Sequence, residues 1–242
     1  MKIYYDMEQG SDAWYRARLG RPTASAFGKI VTPAKCDLSK QATEYALRLC
    51  AERLLNMSTE SVTGVEWMER GKELEPFAAK QYEFQYEVKT VRVGFITTDD
   101  GRVGCSPDRL VAVGDLKVGL EIKCPAPWKH LGYLVHGVEA DHKPQLQGQI
   151  LVAELDRLDL YSWHPQMPPR TVPTVRDAAY CTKLYAALDQ FCDNLDALEE
   201  RARGLGVFQA MKQAASPVEA EALSRALQDE TFERFAKHGF AN

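Results

Sequence analysis

Glu121 and Lys123 stand two positions apart in the run Leu120-Glu121-Ile122-Lys123. In an extended strand alternate side chains share a face. Val118, Leu120 and Ile122 therefore fall on one side, and Glu121 and Lys123 project together from the other. A carboxylate beside an amine, backed by an apolar face, suits hydrolysis assisted by a hard cation: the carboxylate binds the ion and the amine sits near the attacking water. Asp108 supplies a second carboxylate, with 12 residues between it and Glu121. It follows Pro107, whose fixed φ and missing N–H favour an irregular break that aims Asp108 inward. The acid-x-base pair alone says little, because this composition yields roughly four such pairs by chance, and strand Glu and Lys commonly face solvent. Its surroundings add weight: Ser106-Pro107 before Asp108, the hairpin spacing, and Cys124-Pro125 directly after Lys123.

The flanking sequence predicts the elements that position these groups. Ser11 or Asp12 caps a short helix that stops at Gly20, Thr23-Ala24-Ser25 opens a second to Val31, and Ser39 caps a third to about Leu55. Val65 to Tyr86 is helical, with Pro76 set to kink it or to begin its second half. The period then changes. Val88, Val91, Val93, Phe95 and Ile96 form one strand-like run, and the segments around Cys105, Arg109–Val113 and Lys117–Lys123 continue it as an antiparallel meander. A helix over about 143–155, a strand from Leu158 to Trp163, a proline-punctuated edge strand and a long helix from Arg176 to about Arg203 complete the pattern. It gives an α/β (α+β) class: residues 1–205 as one domain with a central mixed sheet flanked by helices, and 206–242 as an Ala- and Glu-rich helical tail.

At 242 residues and 45% apolar content the chain can bury a sizeable core. It has no apolar run long enough to span a bilayer and no apolar signal stretch at its start, so a cytoplasmic protein is expected. Six dispersed cysteines without a C-x-x-C pair point to reduced, mostly buried thiols. Five histidines without metal-ligand spacing receive no metal role, and the four tryptophans are expected to pack rather than to stack on bases. A net charge of −4 argues at first against a nucleic-acid partner. Residues 1–130, however, carry 19 Lys and Arg against 18 Asp and Glu, so a basic surface can exist locally.

Cys105-Ser106-Pro107-Asp108 with Leu120-Glu121-Ile122-Lys123-Cys124-Pro125 resembles the active-site core of the lambda exonuclease and YqaJ-type viral recombinase family, within the PD-(D/E)XK nuclease superfamily. Glu8–Trp14, Arg18-Leu19-Gly20 and Thr23-Ala24-Ser25 resemble the family's first motif, Gly71-Lys72-Glu73-Leu74-Glu75 its next helix, and Gln145-Leu146-Gln147 its later Q-x-Q helix. The blocks occur in family order over about residues 8–155; the segment beyond about residue 205 carries no resemblance.

The resemblance implies a restriction-endonuclease-like core and two Mg²⁺ ions, replaceable by Mn²⁺. Asp108, Glu121 and the Ile122 carbonyl would hold the catalytic ion, Glu75 would help hold the second, and Lys123 would orient or deprotonate the water. Arg18, Ser25, Ser106 and Gln147 would hold a 5′-terminal phosphate, a donor set suited to a dianion. Lys129 and Lys35 would face DNA; Glu66 stands where the family can have a basic residue, and Trp67-Met68 would lie near the point of strand separation. The implied activity is 5′-to-3′ digestion of linear duplex DNA to 5′-mononucleotides, leaving 3′ single strands. The implied assembly is a homotrimeric ring working with a single-strand annealing protein in a phage or prophage system. An endonuclease or repair nuclease of the same superfamily is the alternative, which a 5′-phosphate pocket would disfavour. A non-catalytic DNA-binding subunit would be expected to have lost a metal ligand, and none is missing.

Overall fold

The computed structural model describes residues 1–59, 65–138 and 140–205, with residues 65–69 described by their backbone alone. The chain divides into two units, Met1–Leu195 and Asp196–Asn242. The tail expected over 206–242 lies outside the described residues. Every element but the last lies wholly within the first unit, and the last helix runs on to Gly204.

Strand β1 (Lys2–Tyr4) is followed by helix α1 (Asp12–Arg18), a 3-10 turn (Ala24–Ala26), α2 (Phe27–Ile30), α3 (Ala42–Leu55) and α4 (Val65–Tyr86). Ser11 caps α1, its hydroxyl accepting from the Trp14 N–H. Ser39 does not cap α3; it shapes the preceding turn, where its hydroxyl accepts from the Gln41 N–H and its carbonyl from the Ala42 N–H. α4 runs through Pro76 as one helix, so the proline does not divide it.

Strands β2 (Lys89–Arg92), β3 (Phe95–Thr97), β4 (Gly104–Cys105), β5 (Arg109–Val113) and β6 (Leu116–Lys123) come next. The single run expected over 88–96 is two strands in two sheets: β1, β3 and β4 form one, while β2 joins the other. Gly94 is the reason. A Cβ there would stand 1.9 Å from the Met7 carbonyl oxygen, and the Gly94 N–H donates to the Tyr4 carbonyl at 3.1 Å. That close backbone approach diverts the chain from one sheet to the next.

Helix α5 (Pro127–His136), absent from the sequence expectations, comes directly after β6. Pro127 sets its first turn. Its polarity is inverted: His130 and Tyr133 are buried, whereas Trp128, Leu131 and Val135, which carry the helical spacing, are exposed. A 3-10 turn (Ala140–His142), α6 (Lys143–Val152), β7 (Arg157–His164), β8 (Met167–Val175) and α7 (Ala178–Gly204) complete the order. The larger sheet runs β2-β5-β6-β7-β8. Its β6–β7 pair is parallel and its other pairs antiparallel, so it is mixed as expected. β8 carries Pro168, Pro169 and Pro173 as an edge, where missing N–H groups cost least.

β6 is the central strand, and from Val118 to Ile122 it is buried. One face, through Val118, Leu120 and Ile122, packs on Ala78, Ala79 and Tyr82 of α4, with Val111 and Tyr161 alongside. On the other face Gly119 lies against Leu155 and Leu158, and α6 covers Glu121 through its amides. Helices on both faces remove water from the strand that carries the candidate carboxylate.

Candidate active site

The β5–β6 register pairs Arg109 with Leu120, so Asp108 comes one step before the ladder, beside Glu121. The Asp108 carboxylate accepts from the Ile122 backbone N–H at 2.6 Å, which fixes its rotamer toward the end of β6. Glu121 is buried. Its Oε1 accepts from Lys123 Nζ at 2.6 Å and from Gln145 Nε2 at 2.7 Å, and its Oε2 from Gln149 Nε2 at 2.7 Å. Glu75, on α4, accepts from Arg109 Nη2 at 3.3 Å. Burial, then the nearby Glu121 carboxylate, pushes Asp108 well above the usual carboxylate range; Glu75 adds to this, while Lys123 opposes it. Burial alone would lower the Lys123 amine, but Glu121 and Asp108 outweigh it and the amine is raised. Burial, with Glu75 and Asp108 near, pushes the Cys124 thiol up to about 12, so it stays a neutral thiol beside the carboxylates.

Among the described residues no group of three or more His, Cys, Asp or Glu side chains is placed to hold a metal ion unaided. The donor set matches what Mg²⁺ asks of a protein, one or two carboxylates and a carbonyl, with water and substrate phosphate completing the shell. The carboxylate repulsion that adds to the rise of Asp108 is what a cation between Asp108 and Glu121 would relieve.

A second group forms around Arg18. Its Nη2 donates to Thr23 Oγ1 at 3.1 Å and to Ser25 Oγ at 3.2 Å, and its Nη1 to Ser106 Oγ at 3.5 Å. The guanidinium lies 4.1 Å from the Trp14 ring centroid, and Trp14 Nε1 donates to Ser106 Oγ and to the Gly94 carbonyl, both at 3.0 Å. Residues from α1, the 3-10 turn and the β4–β5 loop are thus brought together, as expected for Arg18, Ser25 and Ser106, with Thr23 and Trp14 added. A cavity of about 1300 Å³ is lined by Arg18, Thr23 and Ser25 and also by Glu75 and Asp108.

Gln147 is not brought into this group. It donates to the Val175 carbonyl and accepts from the Asp177 N–H, both at 2.9 Å, and so ties β8 to α7. Residues two apart on a helix point apart, whereas Gln145 and Gln149, four apart, share the face that meets Glu121. That i,i+4 spacing is the one sequence signal for Gln149, which the resemblance does not single out. Lys129 lies on the first turn of α5 with its Nζ 5.9 Å from the Tyr133 ring centroid. Lys35 is exposed, and its carbonyl accepts from Lys183 Nζ. Neither joins the two hydrogen-bonded groups. Trp128 is 76% exposed, against the expectation that it packs. Trp163 does pack on the β6 core. The side chains of Glu66, Trp67 and Met68 lie outside the described residues.

Comparison with known proteins gives the family of the chain and the relatives of its fold. The profile of the YqaJ-like viral recombinase domain matches residues 13–156. The chain belongs to that family. No curated protein matches it in sequence. Among solved structures it is similar to an alkaline exonuclease, LHK-Exo, from Laribacter hongkongensis. That match has 27% identity and a TM-score of 0.72, covering 83% of this chain and 100% of the other, and the complex of LHK-Exo with dAMP matches equally. A phage-related exonuclease from Haemophilus somnus shares the fold at 17% identity and a TM-score of 0.58, over 75% of this chain and 96% of that one. The restriction-endonuclease-like core expected from the sequence is the fold of these exonucleases, and family and fold together make this chain a nuclease that acts on DNA. No helix among the described residues is long and apolar enough to cross a membrane.

Proposed function

We propose that the protein is an exonuclease that enters linear duplex DNA at a 5′ end and degrades that strand in the 5′-to-3′ direction, releasing 5′-mononucleotides and leaving a 3′ single strand. One observation carries this: the Arg18 group and the Asp108–Glu75 carboxylates line the same cavity. A guanidinium held over an indole ring, with hydroxyls converging on it, suits a terminal phosphate. An enzyme cutting within a continuous strand has no need of such a pocket. The dAMP bound to the related LHK-Exo has the chemistry of the product proposed here.

Mg²⁺, or Mn²⁺ in its place, would be held by Asp108, Glu121 and the Ile122 carbonyl, with Glu75 helping to hold a second ion, and would supply Lewis-acid chemistry to phosphodiester hydrolysis. Lys123 Nζ, 2.6 Å from Glu121 Oε1, would hold the attacking water by hydrogen bonding and would take up its proton once it has itself lost one. Gln145 and Gln149 fix both oxygens of Glu121, so its orientation is set before substrate arrives. The wider assignment is a homotrimer working with a single-strand annealing protein in the bacterial cytoplasm, within a phage or prophage recombination system.

The test is digestion of a linear duplex bearing a 5′-phosphate at one end and a 5′-hydroxyl at the other, with and without Mg²⁺. The expected outcome is Mg²⁺-dependent loss of the phosphorylated strand from its 5′ end. Equal rates from both ends, or rapid cutting of closed circular duplex, favour an endonuclease of the same superfamily.

A further inference from the structure

Glu52, on α3, is a buried carboxylate that borders the cavity. Burying a carboxylate costs several kcal/mol unless it is well bonded, so its partners show what it is for. Its Oε2 accepts from the Gly20 N–H at 3.0 Å, and its Oε1 from the Thr59 N–H and hydroxyl at 3.2 and 3.3 Å. The next residue, Arg53, donates its Nε to the Gly20 carbonyl at 2.7 Å. α3 therefore grips both backbone polar groups of Gly20. The grip requires glycine: φ is +64°, and a Cβ would lie 2.3 Å from Arg53 Cγ.

Gly20 lies in the turn between Arg18 and Thr23, a turn closed by the Arg21 N–H donating to the Arg18 carbonyl at 3.1 Å. The register of Arg18 against the Thr23 and Ser25 hydroxyls is set by this turn. At its other oxygen Glu52 holds Thr59, four residues past the end of α3.

We infer that Glu52 is a positioning residue for recognition of the 5′ end: it fixes the Gly20 turn so that Arg18, Thr23 and Ser25 converge. The inference rests on the 5′-phosphate assignment above. Without the carboxylate, the Gly20 N–H loses its acceptor, and the turn relaxes to find another. Arg18 then meets the phosphate less well, whereas hydroxyl-ended DNA, which does not use the pocket, reacts as before.

The experiment measures kcat and KM for wild type, Glu52→Ala, Glu52→Gln and Thr59→Val on duplexes differing only in a 5′-phosphate or 5′-hydroxyl, with thermal melting of each protein. Wild type should prefer phosphorylated ends. Glu52→Ala should shrink that preference about tenfold through KM, as expected for loss of hydrogen bonds that align a charged contact. Glu52→Gln, which keeps an oxygen for the Gly20 N–H, should restore most of it. If Glu52→Ala does not fold, Thr59→Val gives the milder version, with a smaller loss of preference. An undiminished preference in the folded variants overturns the inference, as does an equal loss on both kinds of end, the signature of a merely structural carboxylate. A wild-type enzyme with no preference overturns the 5′-phosphate assignment itself, and this inference with it.

Discussion

A strand's period of two is unambiguous, so it settles which side chains of β6 lie together. Once Leu120-Glu121-Ile122-Lys123 is extended, Glu121 and Lys123 must share a face, and the structure brings them to 2.6 Å. Helical phase in an amide-rich run is harder to read. Gln145, Gln147 and Gln149 split between two faces whichever way the helix is rotated, and nothing in their chemistry says which face meets the carboxylate. Gln147 instead anchors Asp177, and Gln149 holds Glu121. Two of these side chains can be tested singly. Lys123→Ala should reduce hydrolysis by at least about a hundredfold while leaving duplex binding largely intact, as read by filter binding beside a nuclease assay. Near-normal turnover in that variant would move the catalytic centre elsewhere. Gln149→Leu leaves Glu121 Oε2 buried without its donor, which costs about 1–3 kcal/mol. It should lower the melting temperature and also depress kcat on both phosphorylated and hydroxyl ends. A variant that melts early but turns over normally would make Gln149 a packing residue only.

At the scale of elements, long segments with a clear period are legible and short or inverted ones are not. The limits of α4 match the expectation at both ends, even though Pro76 suggests a break. α5 is only ten residues long, and although Trp128, Leu131 and Val135 carry a helical spacing, they face outward while the buried side carries His130, bonded to Ser162 and to the Pro168 carbonyl. The run over 88–96 reads as one strand because tertiary proximity to Met7 leaves no trace in local sequence. α6 is the element whose placement most directly sets the site, since it carries both amides that reach Glu121. Gly148, between them, allows its approach: a Cβ there would stand 2.4 Å from Phe27 Cδ2, in a ring that is fully buried. Gly148→Ala must push α6 away from α2 or force Phe27 off its rotamer. The expected cost is about 1–3 kcal/mol, seen as a lower denaturation midpoint with unchanged m-value, together with lower activity as Gln145 and Gln149 withdraw. An unchanged midpoint would mean that Phe27 has room to yield.

For the whole molecule, the charge balance that argues at first against DNA is resolved by where the charges lie. Among the described residues the large cavity is lined by Arg18, Arg21, Lys29, Arg48, Lys72 and Arg92, against five carboxylates. Two of those, Glu75 and Asp108, are the ones proposed to bind metal, which would leave the lining net positive within a chain of net charge −4. Composition supplies the total but cannot place it, because clustering of Arg18 with Arg92 depends on which strands and helices meet. Lys72 tests this at long range. It is exposed on α4, one helical turn before Glu75, and has no expected part in holding the metal or the terminal phosphate. If it meets the duplex backbone, Lys72→Ala should weaken binding of phosphorylated and hydroxyl-ended duplex alike, irrespective of base sequence. The slope of log affinity against log salt should fall by about one, the counterions released by a single phosphate contact. Titrating duplex at several salt concentrations, with wild type and variant side by side, reads that slope directly. Parallel slopes would place Lys72 outside the DNA path, and the net positive lining would then have to be supplied by Lys29, Arg48 and Arg92 on the other walls of the cavity.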